Sequence, residues 1–98
     1  MIIYEINITI NKILYNEYIN WLNNHIKLIL KNDGFIKSEK FVYDESKNSI
    51  SISVHYFIKS IEQLNYYLKY NSHVMREEGI KKFPNGVNIK RRILKTLK

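Results

Sequence analysis

An indole and an imidazole one helical turn apart, at Trp21 and His25, are the side chains best suited to chemistry. Residues at this spacing share one face of a helix. Tyr4 and Tyr56 occupy two predicted strands, from which their side chains would project beneath that helix. The four residues predict a pocket between helix and sheet, in which His25 could serve as an acid, a base or a ligand to a bound group. A structural interpretation stays open, in which His25 hydrogen-bonds a tyrosine hydroxyl and orders the core.

Three arginines stand out in a chain whose other basic residues are lysines: Arg76, Arg91 and Arg92. A guanidinium group offers a planar fork that binds a carboxylate or a phosphate through two hydrogen bonds. Arg91 and Arg92 are adjacent in a predicted strand, so their side chains point to opposite faces of the sheet. We assign Arg91 to the pocket and Arg92 to the other face. The alternative is that the arginines form ordinary ion pairs with glutamates such as Glu5.

The sequence offers little support for a metal site or for a catalytic nucleophile. His73 and Glu77 are one helical turn apart, but two ligands are too few for a zinc site, and the chain has no cysteine. Glycine-rich phosphate loops and nucleophile elbows are also absent from the sequence. We therefore predict no metal and no cofactor, and we keep His73 and Arg76 only as weaker site candidates. Whether the protein is an enzyme stays open.

The formal net charge of +7 raises the question of nucleic acid. The lysines, however, are spread along the whole chain, as a compositional bias would leave them. RNA-recognition domains also need an aromatic motif in their third strand, which residues 49–55 lack. We predict no nucleic-acid partner, although a basic RNA- or anion-binding protein stays as an alternative.

The first residues indicate a cytoplasmic protein without a membrane partner. Glu5 and Asn7 interrupt the apolar start that a signal peptide would need. No stretch approaches the ~20 apolar residues of a membrane span.

Periodicity predicts four strands and three helical segments. Residues 2–10 and 49–58 alternate apolar and polar, which is typical of half-buried strands. Residues 35–44, with Phe35, Phe41 and Tyr43 on one side, and residues 87–97 complete the strands. Helical spacing covers residues 14–31 and 61–71, with a further helical piece at 72–83. Gly34 and the turns at 45–48 and 84–86 separate these elements.

The order β-α-β-β-α-β predicts one domain over residues 1–98. Right-handed crossovers give an α+β, ferredoxin-like sandwich, in which a four-stranded antiparallel sheet in the order 4-1-3-2 carries its helices on one face. The opposite face is mostly polar, and its expected residues are Ile3, Glu5, Asn7, Thr9, Ser51, Ser53, His55 and Phe57. We expect a homodimer that forms through this face or the sheet edges.

The chain also resembles a bacterial family known as domain of unknown function 4286. The residues that carry the resemblance are the opening Met1 to Glu5, Trp21 to Ile26, Gly34-Phe35, Tyr67-Leu68, Met75-Arg76, Gly79, Phe83 and Arg91 to Leu94. One position departs from the family, because Asn71 stands where a histidine is usual. The resemblance implies a ferredoxin-like fold and, by analogy, a dimeric α/β barrel, but no activity.

Three hypotheses follow. The first is a homodimeric interaction or structural module. The second is a small-molecule binding protein or an oxygenase-like enzyme that uses the pocket, and it requires a cavity that reaches His25. The third is the basic RNA- or anion-binding protein. Fold analogy alone cannot decide among them, because function depends on the site.

Overall fold

The chain forms four strands and three helices, and the computed structural model describes residues 1–97 of the predicted 98-residue domain. The strands are β1 (Ile2–Asn11), β2 (Phe35–Glu45), β3 (Ser49–Ile58) and β4 (Val87–Lys95); the helices are α1 (Tyr15–Ile29), α2 (Ile61–Tyr70) and α3 (Ser72–Lys82). The strands form one antiparallel sheet in the order β2-β3-β1-β4. The predicted α+β, ferredoxin-like fold is therefore confirmed.

Local signals set the helix boundaries. The side chain of Asn11 accepts a hydrogen bond from the amide of Ile13 and caps a short 3₁₀ turn, Lys12–Leu14, which leads into α1. Gly34 adopts a φ of 84° after α1, a conformation that glycine reaches without a steric penalty. Ser60 caps α2 by accepting a hydrogen bond from the amide of Gln63. The helices start and stop close to where the sequence predicts.

The core lies between the sheet and the helices. Tyr4, Ile8 and Ile10 of β1 pack with Val54 and Tyr56 of β3, and all five are nearly inaccessible to water. These residues alternate along their strands, because one face of each strand is buried and the other is not. The helical stripe of α1 covers them with Tyr18, Leu22, Ile26 and Ile29.

Strand β2 departs from the predicted alternation. Irregular pairing between Phe35 and Lys37 shifts the register by one residue. Phe35 is buried against Tyr56 in the core, whereas Phe41 pairs with Ser53 on the opposite face and is exposed. The prediction that Phe35 and Phe41 share one side was wrong, because the bulge reverses the direction of the side chains that follow it, up to a second irregularity between Val42 and Asp44.

Strand β4 also ends earlier than predicted, at Lys95 rather than at residue 97. Lys95 pairs with Ile2, the first residue of β1, so the ladder has no further partner residue beyond it. None of the helices within residues 1–97 is long and apolar enough to cross a membrane.

Candidate functional site

A cavity of about 180 Å³ lies between the sheet and the helices α1 and α3. All five residues predicted for the pocket line it: Tyr4, Trp21, His25, Tyr56 and Arg91. Tyr4 and Tyr56 project from the central strands, where they are directly paired. Helix α1 contributes Trp21 and His25 from above, and the edge strand β4 contributes Arg91. The structure thus brings together residues that are up to 87 positions apart in sequence.

One wall of the cavity consists of the stacked rings of Trp21 and His25, whose centroids are 4.4 Å apart with an interplanar angle of 22°. Gly79 of α3 packs against this indole. A Cβ atom at Gly79 would lie 3.0 Å from Cη2 of Trp21, which is closer than ordinary packing allows. A glycine at this position therefore permits the close approach of α3 to α1 that closes the wall.

One nitrogen of the His25 ring forms no hydrogen bond within residues 1–97. Its Nδ1 is buried and has no hydrogen-bond partner among the described residues. Burial lowers the pKa of His25, the negative charge of Glu78 opposes this effect, and Arg91 lowers the pKa further. The imidazole is therefore neutral at physiological pH. The expected hydrogen bond from His25 to a tyrosine hydroxyl is not formed within residues 1–97.

Four tyrosines contribute to the lining, Tyr4, Tyr18, Tyr56 and Tyr67, and burial raises the pKa of the last three. Burial raises the pKa of Tyr18 to about 12, with a smaller opposing effect of Arg91. Burial likewise raises the pKa of Tyr67 to about 12 and raises that of Tyr56 strongly. Tyr4 and Tyr56 stack with centroids 6.3 Å apart. The phenols of Tyr18, Tyr56 and Tyr67 can therefore donate hydrogen bonds into the cavity without adding negative charge.

Two arginines supply the positive charge of the cavity. Nη2 of Arg76 donates a hydrogen bond to the hydroxyl oxygen of Tyr4 at 3.1 Å. Burial lowers the pKa of Arg91, the tyrosines Tyr4, Tyr67 and Tyr18 oppose this shift, and the charge of Arg76 adds to it. Among residues 1–97, no aspartate or glutamate lines the cavity. Arg76, a weaker candidate from sequence, thus stands at the cavity beside Arg91.

His73, the other weaker candidate, lies outside the cavity. Its side chain is 84% exposed, and its Nε2 is 3.8 Å from Oε1 of Glu77. No group of three or more metal-ligating side chains occurs in the described part of the chain.

Sequence reasoning left Tyr18 and Tyr67 out of the site. Tyr18 precedes Trp21 by one helical turn, so its place in the apolar stripe was visible, but nothing distinguished it from a core residue. Its ring packs 5.6 Å from the indole of Trp21. Tyr67 packs 6.4 Å from Tyr4. Only the crossing of α2 and α3 over the sheet shows that these rings border a cavity.

A second polar cluster lies on the uncovered face of the sheet around Glu5, which is only 4% exposed. Arg92 and Asn7 donate hydrogen bonds to Oε1 of Glu5, and Nε2 of His55 lies 2.9 Å from Oε2. Burial alone would raise the pKa of Glu5, but these hydrogen bonds and the charge of Arg92 together lower it. Arg92 therefore forms an ion pair with Glu5, which was the alternative interpretation of the arginines, while Arg91 lines the cavity.

The lowered pKa of Glu5 predicts a loss of stability in acid. A depressed carboxyl pKa contributes stability above its unfolded value of about 4.5, and this contribution is lost as the pH falls through the folded value. The melting temperatures of the wild type and Glu5→Gln should therefore differ most at pH 7 and converge toward pH 3. Thermal unfolding at four pH values measures this, with Glu62→Gln on the exposed face of α2 as control. A difference that is constant with pH would contradict the assignment.

Comparison with known proteins identifies the family. The model for Domain of unknown function (DUF4286) matches residues 1–97. The chain belongs to this family. The resemblance drawn from the sequence is thereby confirmed, whereas comparison with curated proteins finds no match.

Solved structures show the same fold at low identity. A candidate antibiotic biosynthesis monooxygenase from Deinococcus radiodurans has a TM-score of 0.72 at 10% identity, over 100% of this chain and 94% of that one. A variant of SnoaB, a cofactor-independent oxygenase from Streptomyces nogalater, has a TM-score of 0.68 at 7% identity, and the match covers 99% of this chain and 94% of that one. A dimeric ferredoxin-like protein from an uncultured marine organism has a TM-score of 0.64 at 12% identity, and the match covers 95% of this chain and 92% of that one. At these identities the likeness shows the fold alone.

Proposed function

We propose that this protein binds a small organic molecule in the cavity between the helices and the sheet. The cavity itself is the observation that carries the proposal, because a purely structural domain of this size gains stability by filling such a space. Its walls combine aromatic rings with a few polar groups, which is the usual composition of a small-molecule site. The second hypothesis from the sequence required a cavity that reaches His25, and this one does.

Energetics also support a ligand. A molecule bound in the cavity would gain dispersion contacts with the side chains that line it. Gly79 of α3 places no side chain between this helix and Trp21, so the indole forms the wall itself. An interaction module has no need of such a cavity.

The test is a titration followed by two-dimensional ¹⁵N NMR, with benzyl alcohol as a neutral probe of one aromatic ring. The chain has one tryptophan, so the indole N–H of Trp21 gives one side-chain signal in the cavity wall. This signal and the amides of β1 and β4 around the cavity should shift together and saturate. Benzyl alcohol that produces no saturable shift at Trp21 would overturn the proposal.

Matched isoleucine variants provide the control. Ile89 lines the cavity from β4 and is partly exposed, so Ile89→Phe adds bulk at the site without forcing a buried strand apart. We expect Ile89→Phe to weaken the binding of benzyl alcohol. Ile13→Phe places the same change at a residue that is 90% exposed and outside the cavity, and it should leave binding unchanged.

An enzymatic form of this proposal is an oxygenase-like reaction on the bound molecule. Its support is the fold shared with the cofactor-independent oxygenase SnoaB and the neutral imidazole of His25 in the cavity. Binding precedes either outcome, so the titration tests the step that both forms share.

We propose a homodimer as the second functional feature, formed through the uncovered face of the sheet in the manner of a dimeric α/β barrel. Ser53 is 7% exposed in the centre of this face, and its Oγ is buried without a partner among the described residues. Phe41 and Tyr43 project beside it and are about half exposed. Four strands of about ten residues give a face of roughly 600 Å² in projection, which is comparable with the roughly 800 Å² per partner of a standard interface.

The same cluster argues against nucleic acid on this face. The buried carboxylate of Glu5 lies at its centre, where a phosphate or a stacked base would have to approach. The basic residues of the chain are dispersed rather than collected on the sheet. We place the protein in the cytoplasm as a dimer with a small-molecule ligand.

A further inference from the structure

The charge of the cavity is unbalanced. Arg76 and Arg91 both line it, and no acidic side chain in the described part of the chain does. Within residues 1–97 neither arginine forms an ion pair, whereas Arg92 on the opposite face pairs with Glu5. The two guanidinium groups repel each other, and burial deprives Arg91 of part of its hydration. An anion placed between them would relieve both costs.

The size of the cavity limits the body of that anion. A dry apolar cavity of about 150 Å³ is known to hold benzene. A cavity of about 180 Å³ therefore accommodates one aromatic ring with small substituents. Trp21 and Tyr56 present aromatic surface to this space, against which a ring packs favourably in offset or edge-to-face geometry.

We infer that the ligand is a monocyclic aromatic carboxylate whose carboxylate group binds Arg76 and Arg91. This inference rests on the proposed small-molecule function and gives it a chemical class. A carboxylate matches the planar guanidinium fork in two parallel hydrogen bonds. A phosphate ester could bind the same fork, so the experiment compares the two anions.

The test compares dissociation constants of charged and neutral probes by the same NMR titration. Wild type should bind benzoate about tenfold or more tightly than benzamide, because charge-assisted hydrogen bonds are roughly twice as strong as neutral ones. Arg91→Gln and Arg76→Gln should each reduce this preference. Arg92→Gln, on the opposite face, should keep the full preference.

The outcomes separate the two proposals. Equal binding of benzoate and benzamide would overturn the carboxylate assignment, and tighter binding of phenyl phosphate than of benzoate would overturn it as well. Saturable binding of benzyl alcohol in either case would leave the small-molecule function standing.

Discussion

Tyr56→Ala is expected to lower the free energy of unfolding by about 3–5 kcal/mol, the usual cost of truncating a large buried aromatic side chain. Tyr56 is 1% exposed in the central strand β3. Its ring packs against Tyr4 and against Phe35, with centroids 6.3 and 6.0 Å away. Domains of this size have a total stability of roughly 5–15 kcal/mol. Urea denaturation followed by circular dichroism should therefore show a midpoint far below that of wild type.

Tyr56→Phe is the matched control for this change. It keeps the ring and its packing and removes only the hydroxyl, so its stability should stay within about 1.5 kcal/mol of wild type. Equal destabilisation by the two substitutions would show that the hydroxyl, not the ring, carries the contribution. The Phe variant also separates stability from binding, because it folds with an altered polar lining of the cavity.

The sequence predicted the fold because its central strands alternate without interruption. One face of β1 and β3 is buried under helices, so every second residue is apolar and the register follows. The same alternation of side chains predicted that Tyr4 and Tyr56 lie under α1 and that Arg91 and Arg92 point to opposite faces of the sheet. Trp21 and His25 followed from helical spacing. Each of these residues occupies a regular element, and regular elements have a period that can be read along the chain.

The features that escaped prediction depend on irregular or distant contacts. The bulge in β2 inserts one residue, and no period encodes where an insertion falls, so Phe35 and Phe41 were placed together wrongly. Gly79 looked like an unfavourable helix residue, and its role appears only when α3 packs on Trp21. The burial of Glu5 on an uncovered face requires partners from three strands. Such contacts exist only in the assembled fold.

Ser53→Arg is expected to convert a dimeric protein into a monomer. Ser53 lies in the centre of the uncovered face, paired with Asn7 of β1 and Phe41 of β2. In a dimer built on this face, arginine would bury an unpaired charge, which costs about 3–5 kcal/mol and weakens association at least a hundredfold. The isolated chain should still fold, because the long side chain of arginine can extend from the open face into water.

Size-exclusion chromatography with light scattering measures the mass of each variant, and circular dichroism verifies that it folds. Ser46→Arg introduces the same side chain in the exposed turn between β2 and β3, and it should remain a dimer. If the Ser53→Arg protein folds and stays dimeric, the dimer interface does not lie on this face of the sheet. Phe41 and Tyr43, which are about half exposed, would then be surface residues of the dimer.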